Sequence, residues 1–290
     1  VGSLRFGYNT NGFPHHRLED VLHILADLGY QGVALTLDVH HLDPLRASGP
    51  EVAAVAHLLE RLRLQPVVET GARFVLDPRR KHEPSLLTAD PAGRGRRIEF
   101  LRRCIWIAAG LGARVVSLWS GRPPEGEARP ALEARLAESL RALSEEALRS
   151  GLALALEPEP GMLVETLADF TRASAAVDRP NLGLCLDIGH LYCTGETPVG
   201  PRVRELGPRI LTSHVEDAPR GRHEHRMFGE GEVDLVEALH GFRSIGYGGL
   251  LNVELSRHGH EAPAAAERAI RALRDAEAKI PGEGALGIPT

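Results

Sequence analysis

Short apolar runs alternate along this chain with longer stretches whose apolar positions recur every three or four residues. The first pattern suits buried strands and the second suits amphipathic helices. Strands are predicted near 4–8, 33–37, 65–70, 114–119, 152–157, 182–187, 209–215 and 249–254. Helices are predicted near 17–29, 50–63, 95–111, 130–150, 164–177, 198–206, 234–244 and 262–278. Such alternation implies parallel strands joined by crossover helices, and eight units are enough to close a barrel. Leu28-Gly29, Leu111-Gly112 and Ile245-Gly246 put glycine where a helix must stop before the next strand. The expected fold is therefore α/β, a single (β/α)8 TIM barrel over residues 1–290, with loop insertions near 71–95 and 218–233.

Parity inside the strands gives a second indication. In 152–157, Ala153 and Ala155 share a face with Glu157, and Leu152, Leu154 and Leu156 take the other. In 182–187, Gly183 and Cys185 share a face with Asp187, opposite Leu182, Leu184 and Leu186. Small residues on one face and leucines on the other fit a barrel lumen inside and a helix layer outside.

Four successive strand-like segments end on a side chain that binds metals: Glu157, Asp187, His214 and Glu254, spaced by 30, 27 and 40 residues. A carboxylate after one apolar run means little. Four such endings are what a barrel needs to aim four groups at one point above its C-terminal rim. Three carboxylates and an imidazole suit one divalent cation, with Mn²⁺ the first expectation and Mg²⁺, Co²⁺ or Zn²⁺ the others. Glu157-Pro158-Glu159 offers two glutamates, and strand parity allows either.

Charge narrows the class of partner. Lys and Arg number 34 against 39 Asp and Glu, a net charge of −5, which argues against a nucleic-acid surface. Three cysteines without a CxxC pair favour a reducing compartment over a disulfide framework. The opening residues lack the pattern of a signal peptide, and no apolar stretch is long enough for a membrane span. A cytoplasmic protein with no membrane partner is the expectation. Homo-oligomerisation through the outer helices is compatible with the sequence but not specified by it.

Glu157, Cys185-Leu186-Asp187-Ile188-Gly189-His190, Ser213-His214-Val215-Glu216-Asp217, Gly229–Asp234 and Val253-Glu254 together resemble the xylose isomerase-like TIM-barrel superfamily. That superfamily includes sugar isomerases and epimerases, inosose dehydratase-like enzymes and endonuclease IV-like nucleases. The resemblance runs from the first strand to the last helix. In the ketose 3-epimerase branch it implies Glu157, Asp187, His214 and Glu254 as ligands of one metal. Glu157 and Glu254 double there as the acid/base pair on opposite faces of the substrate. His190, three residues after the Asp, and Arg220, six after the His, would meet substrate oxygens; Arg222 and Arg226 compete with Arg220 for that place. Glu216 and Asp217 are expected to hydrogen-bond loop backbone. The implied substrate is a sugar or sugar phosphate, isomerised or epimerised through an enediolate.

The first half departs from the better-known branches. Glu69 ends the third strand toward the same rim, and Arg73, Lys81 and His82 follow as candidates for an anionic substrate group. Trp119, after the fourth strand, offers an apolar wall. An inosose-type dehydratase needs nearly the same site and is the alternative. The chain also resembles nucleases of the endonuclease IV type around His190, His214 and His225, with His223 where an Asp is expected, but it lacks the histidines their three-metal site needs after the early strands, where it has Glu69 and Trp119. A barrel that binds metal and ligand without turnover is the remaining reading.

Overall fold

The structure, a computed structural model, describes residues 3–71 and 73–281. Eight parallel strands close in sequence order: β1 Arg5–Asn9, β2 Gly32–Thr36, β3 Gln65–Glu69, β4 Val115–Trp119, β5 Ala153–Glu157, β6 Leu182–Asp187, β7 Ile210–Val215 and β8 Leu250–Val253, with β8 pairing back to β1. The outer layer is α1 Leu18–Asp27, α2 Gly49–Leu62, α3 Pro91–Gly110, α4 Arg129–Arg149, α5 Leu167–Val177, α6 Ile188–Thr194, α7 Val199–Leu206, α8 Leu235–Ser244 and α9 Ala262–Ala278. The chain is thus the expected (β/α)8 barrel.

Two layers of burial follow from strand parity. Leu154, Leu156, Leu184 and Leu186 face the helices and are almost wholly buried. On the other face Ser117, Ala155 and Gly183 lie in register across β4, β5 and β6. Further round, the Asn252 amide donates to Thr212 Oγ1 at 3.0 Å. Gly7 sits beside Asn252, and a Cβ there would collide with its amide oxygen. Small residues at these lumen positions leave room for larger neighbours such as Leu211, which packs on Gly183, and Leu250, which packs on Gly32.

Local chemistry sets the helix boundaries. Ser48 and Glu51 form a capping box at α2, and Thr166 and Asp169 form one at α5. Asp90 caps α3, with Pro91 in its first turn, so that helix starts four residues earlier than the periodicity near 95–111 predicts. The structure adds α6, which leaves β6 with no intervening loop; Asp187 is at once the last residue of the strand and the N-cap of the helix. Gly29 and Gly112, which follow α1 and α3, have φ of 82° and 71°, as their place in the sequence suggested. No helix among the described residues is long and apolar enough to cross a membrane.

Candidate metal centre

Glu157 and Asp187 close β5 and β6, His214 is the penultimate residue of β7, and Glu254 follows β8. The barrel register sets Asp187 beside His214. One ligand atom from each of the four residues lies within 4.8 Å of the others, and Glu159 is outside this group. His214 Nδ1 is 3.0 Å from Glu157 Oε1, 2.9 Å from Glu254 Oε2 and 3.9 Å from Asp187 Oδ2. Asn11 Nδ2 donates to the other Glu254 oxygen at 2.7 Å.

Asp187 tests whether a cation fits. Its Oδ1 accepts the N–H groups of Gly189 at 2.7 Å and His190 at 3.2 Å, at the start of α6. Its Oδ2 is buried with no hydrogen-bond partner. The nearest nitrogens to that oxygen are His190 Nε2 at 3.5 Å and His214 Nδ1 at 3.9 Å, neither within a hydrogen bond, so a buried carboxylate oxygen facing two glutamates is left under-compensated. A divalent ion fits that need, and three hard oxygens with one nitrogen suit the ions expected from the sequence. Burial pushes the Glu157 carboxyl up to about 7 against the pull of His214. Burial acts on Glu254 as well, but His214 overcomes it and holds that carboxyl well below its usual range.

The β7 loop arrives differently from the sequence expectation. Arg220 lies outside the cleft, donating to Thr197 Oγ1 at 2.9 Å, paired with Glu232 at 3.4 Å and stacked over Tyr192. Arg226 is engaged with Glu224. His223 and His225 face the cleft instead, and His190 Nε2 lies 3.1 Å from His223 Nε2. His190, His223 and His225 form a second group able to hold an ion, and Asp187, His190 and Glu216 a third. Extended chain puts residues two apart on one side, so the alternation His223-Glu224-His225 was the readable signal. Asp217 accepts loop N–H groups from Ala218, Gly229 and Val233, as expected. Glu216 does not join it: it pairs with His225 and leaves its other oxygen unpartnered.

The opposite wall belongs to the β3 and β4 loops. Arg73, Lys81, His82 and Trp119 line the same cleft as Glu69 and Glu157. Arg97 from α3 holds this wall from behind. It is 2 % exposed, donates to the carbonyls of Pro84 at 2.7 Å and His82 at 2.5 Å, and lies 5.0 Å from the Trp119 ring centre. Burial, then the Lys81 charge, lowers His82 to about 4, so it is neutral near pH 7 and the cations of this wall are Arg73 and Lys81. Its Cε1–H NMR signal should titrate near that value, whereas a midpoint near the ordinary 6.5 would contradict its burial. Between those two values the unfolded chain takes up a proton that the folded one refuses, so His82 subtracts stability as pH falls through that window.

A family model described as a xylose isomerase-like TIM barrel matches residues 22–276, and the chain belongs to that family. The L-ribulose-5-phosphate 3-epimerase UlaE of Shigella flexneri is 28% identical over 211 residues, which cover 71% of this chain and 73% of that protein. Among solved structures, an L-ribulose 3-epimerase superposes with a TM-score of 0.78 at 22% identity, covering 99% of this chain and all of that one. The IOLI protein, solved with a binding zinc atom, superposes at 0.76 with 20% identity and covers 96% of this chain.

Proposed function

We propose that this protein is a divalent-metal-dependent isomerase or epimerase of a sugar or sugar phosphate. The observation that carries the reading is the convergence of Glu157, Asp187, His214 and Glu254 at the barrel rim, with Asp187 Oδ2 left unpartnered. Membership of the xylose isomerase-like family and likeness to a ketose-phosphate epimerase support it. A cation held there, with Mn²⁺ the first candidate, would supply Lewis acidity to the oxygens beside the reacting carbon. Glu157 and Glu254 are the acid/base pair: one carboxylate takes the proton from the carbon next to the carbonyl and the other returns one. Asn11 holds one oxygen of Glu254, and His190, whose Nδ1 is taken by the Pro158 carbonyl, would have to turn Nε2 from His223 to a substrate oxygen.

Arg73 and Lys81 support a substrate with an anionic end. Arg73→Ala should raise KM for a phosphorylated ketose about tenfold, the size of one charge-assisted hydrogen bond, and leave the unphosphorylated sugar nearly unaffected. Equal losses on both sugars would assign Arg73 to holding the loop. Arg220→Ala, by contrast, should change either KM by less than about twofold, since an exposed pair of this kind contributes little.

Proton NMR in D₂O on a panel of ketoses, ketose phosphates and inososes, with Mg²⁺-supplied protein beside a chelator-treated control, tests the function. Cation-dependent deuterium uptake next to the carbonyl without loss of water is the expected result. Loss of a hydroxyl would make the protein a dehydratase. No change in any compound from protein shown to hold a cation would overturn the assignment for this panel.

A further inference from the structure

His214 supplies the one nitrogen of the four-residue cluster, and a neutral imidazole offers a lone pair from only one ring nitrogen at a time. Its two nitrogens face different carboxylates. Nδ1 is turned to Glu157, Glu254 and Asp187, while Nε2 lies 3.1 Å from Glu69 Oε1. Glu69 reaches it from the end of β3, 145 positions away in sequence. It is 6 % exposed, and His214 is the one hydrogen-bond partner of its carboxylate among the described residues. Glu69 is absent from every group of described residues able to hold an ion. A buried carboxylate is costly unless it is paired, and the partner this one has among the described residues is the far side of one imidazole.

We propose that Glu69 is a positioning residue. By accepting a hydrogen bond from Nε2–H, it fixes His214 in the tautomer that leaves the Nδ1 lone pair facing the cluster. Turned over about its ring axis, the imidazole would present carbon to both sets of carboxylates and lose every one of these contacts. Cys185 Sγ lies 3.8 Å from Nδ1 and 3.9 Å from Nε2, so the sulfur distinguishes the two nitrogens little. Glu69 supplies that distinction. Outer hydrogen-bond acceptors of this kind orient a metal-binding histidine and fix its tautomer, which makes Glu69 a determinant of cation affinity rather than a further ligand.

The inference rests on the metal reading above, and its test reads cation binding instead of turnover. Mn²⁺ affinity, from competition with a chelating dye, and the visible spectrum of the Co²⁺-loaded protein are measured for wild type, Glu69→Ala and Glu69→Gln. Glu69→Ala should bind Mn²⁺ about 10- to 100-fold more weakly and shift the Co²⁺ bands. Glu69→Gln, whose amide oxygen still accepts from Nε2–H, should stay within about threefold of wild type. Wild-type affinity in Glu69→Ala overturns the proposal, as does equal weakening in both variants, which would make the charge and not the hydrogen bond decisive. Wild-type protein that takes up no divalent cation overturns the metal reading as well, whereas a null effect of the variants on a cation-binding protein overturns only the role of Glu69. Should Glu69→Ala fail to fold, long-range ¹H–¹⁵N spectra of the Zn²⁺-loaded wild type decide the matter: an Nε2–H tautomer at His214 is expected, and an Nδ1–H tautomer refutes it.

Discussion

Glu254→Gln should lower kcat by about 10³-fold or more while leaving the melting temperature within a few degrees, since positioned acid/base groups contribute roughly 10²–10⁴-fold. The substitution keeps size and shape, and an amide oxygen still accepts the hydrogen bond from Asn11 Nδ2. What it removes is the charge of a carboxylate that exchanges a proton with carbon and would also hold the cation, so turnover is read at saturating Mn²⁺. The packing of this strand rests on Leu250, Leu251 and Val253, each at most 1 % exposed, so the fold loses little. Turnover and thermal melting measured on the same preparation separate the two effects. Full activity in the folded variant would remove Glu254 from the acid/base pair.

His214→Ala should weaken Mn²⁺ binding by at least about tenfold, and turnover at limiting metal should fall with it. His214 is 1 % exposed and lies close to the carboxylates of Glu157, Glu254 and Glu69. Its removal takes away the nitrogen donor and the group that tempers repulsion among these acids, so the variant should also melt earlier in chelator than wild type does. Metal content by elemental analysis, beside melting curves with and without chelator, checks both. Unchanged metal content would take His214 out of the ligand set.

The barrel and its four rim side chains were legible because strand parity and βα alternation are local patterns that survive folding. The small-residue face of 152–157 and 182–187 pointed to the lumen, and register then brought Asp187 beside His214. Features made by tertiary folding were harder to read. α6 is seven residues long and issues directly from a strand, too short for helical periodicity to declare itself. Arg220 stood at the expected distance along the chain from His214, but sequence distance does not say which way a loop turns. Its turn is set by Asp217, which gathers three backbone donors and leaves Arg220 outside the cleft. Glu216 was expected to serve that same loop backbone, yet its partner is His225. The link from Glu69 to His214 joins opposite parts of the barrel and left no trace in local pattern.

Arg97 bears on how a pocket of this kind can change over generations. One buried guanidinium binds the carbonyls of His82 and Pro84 on one loop and lies against Trp119, which ends the neighbouring strand. Residues that share a partner in this way do not vary independently, and substitutions among them are non-additive. Transplanting the 71–90 segment alone into a sister barrel would carry its basic side chains but leave behind the support that arranges them. The unit of inheritance for ligand preference on this side of the molecule is the loop, the tryptophan and the arginine together.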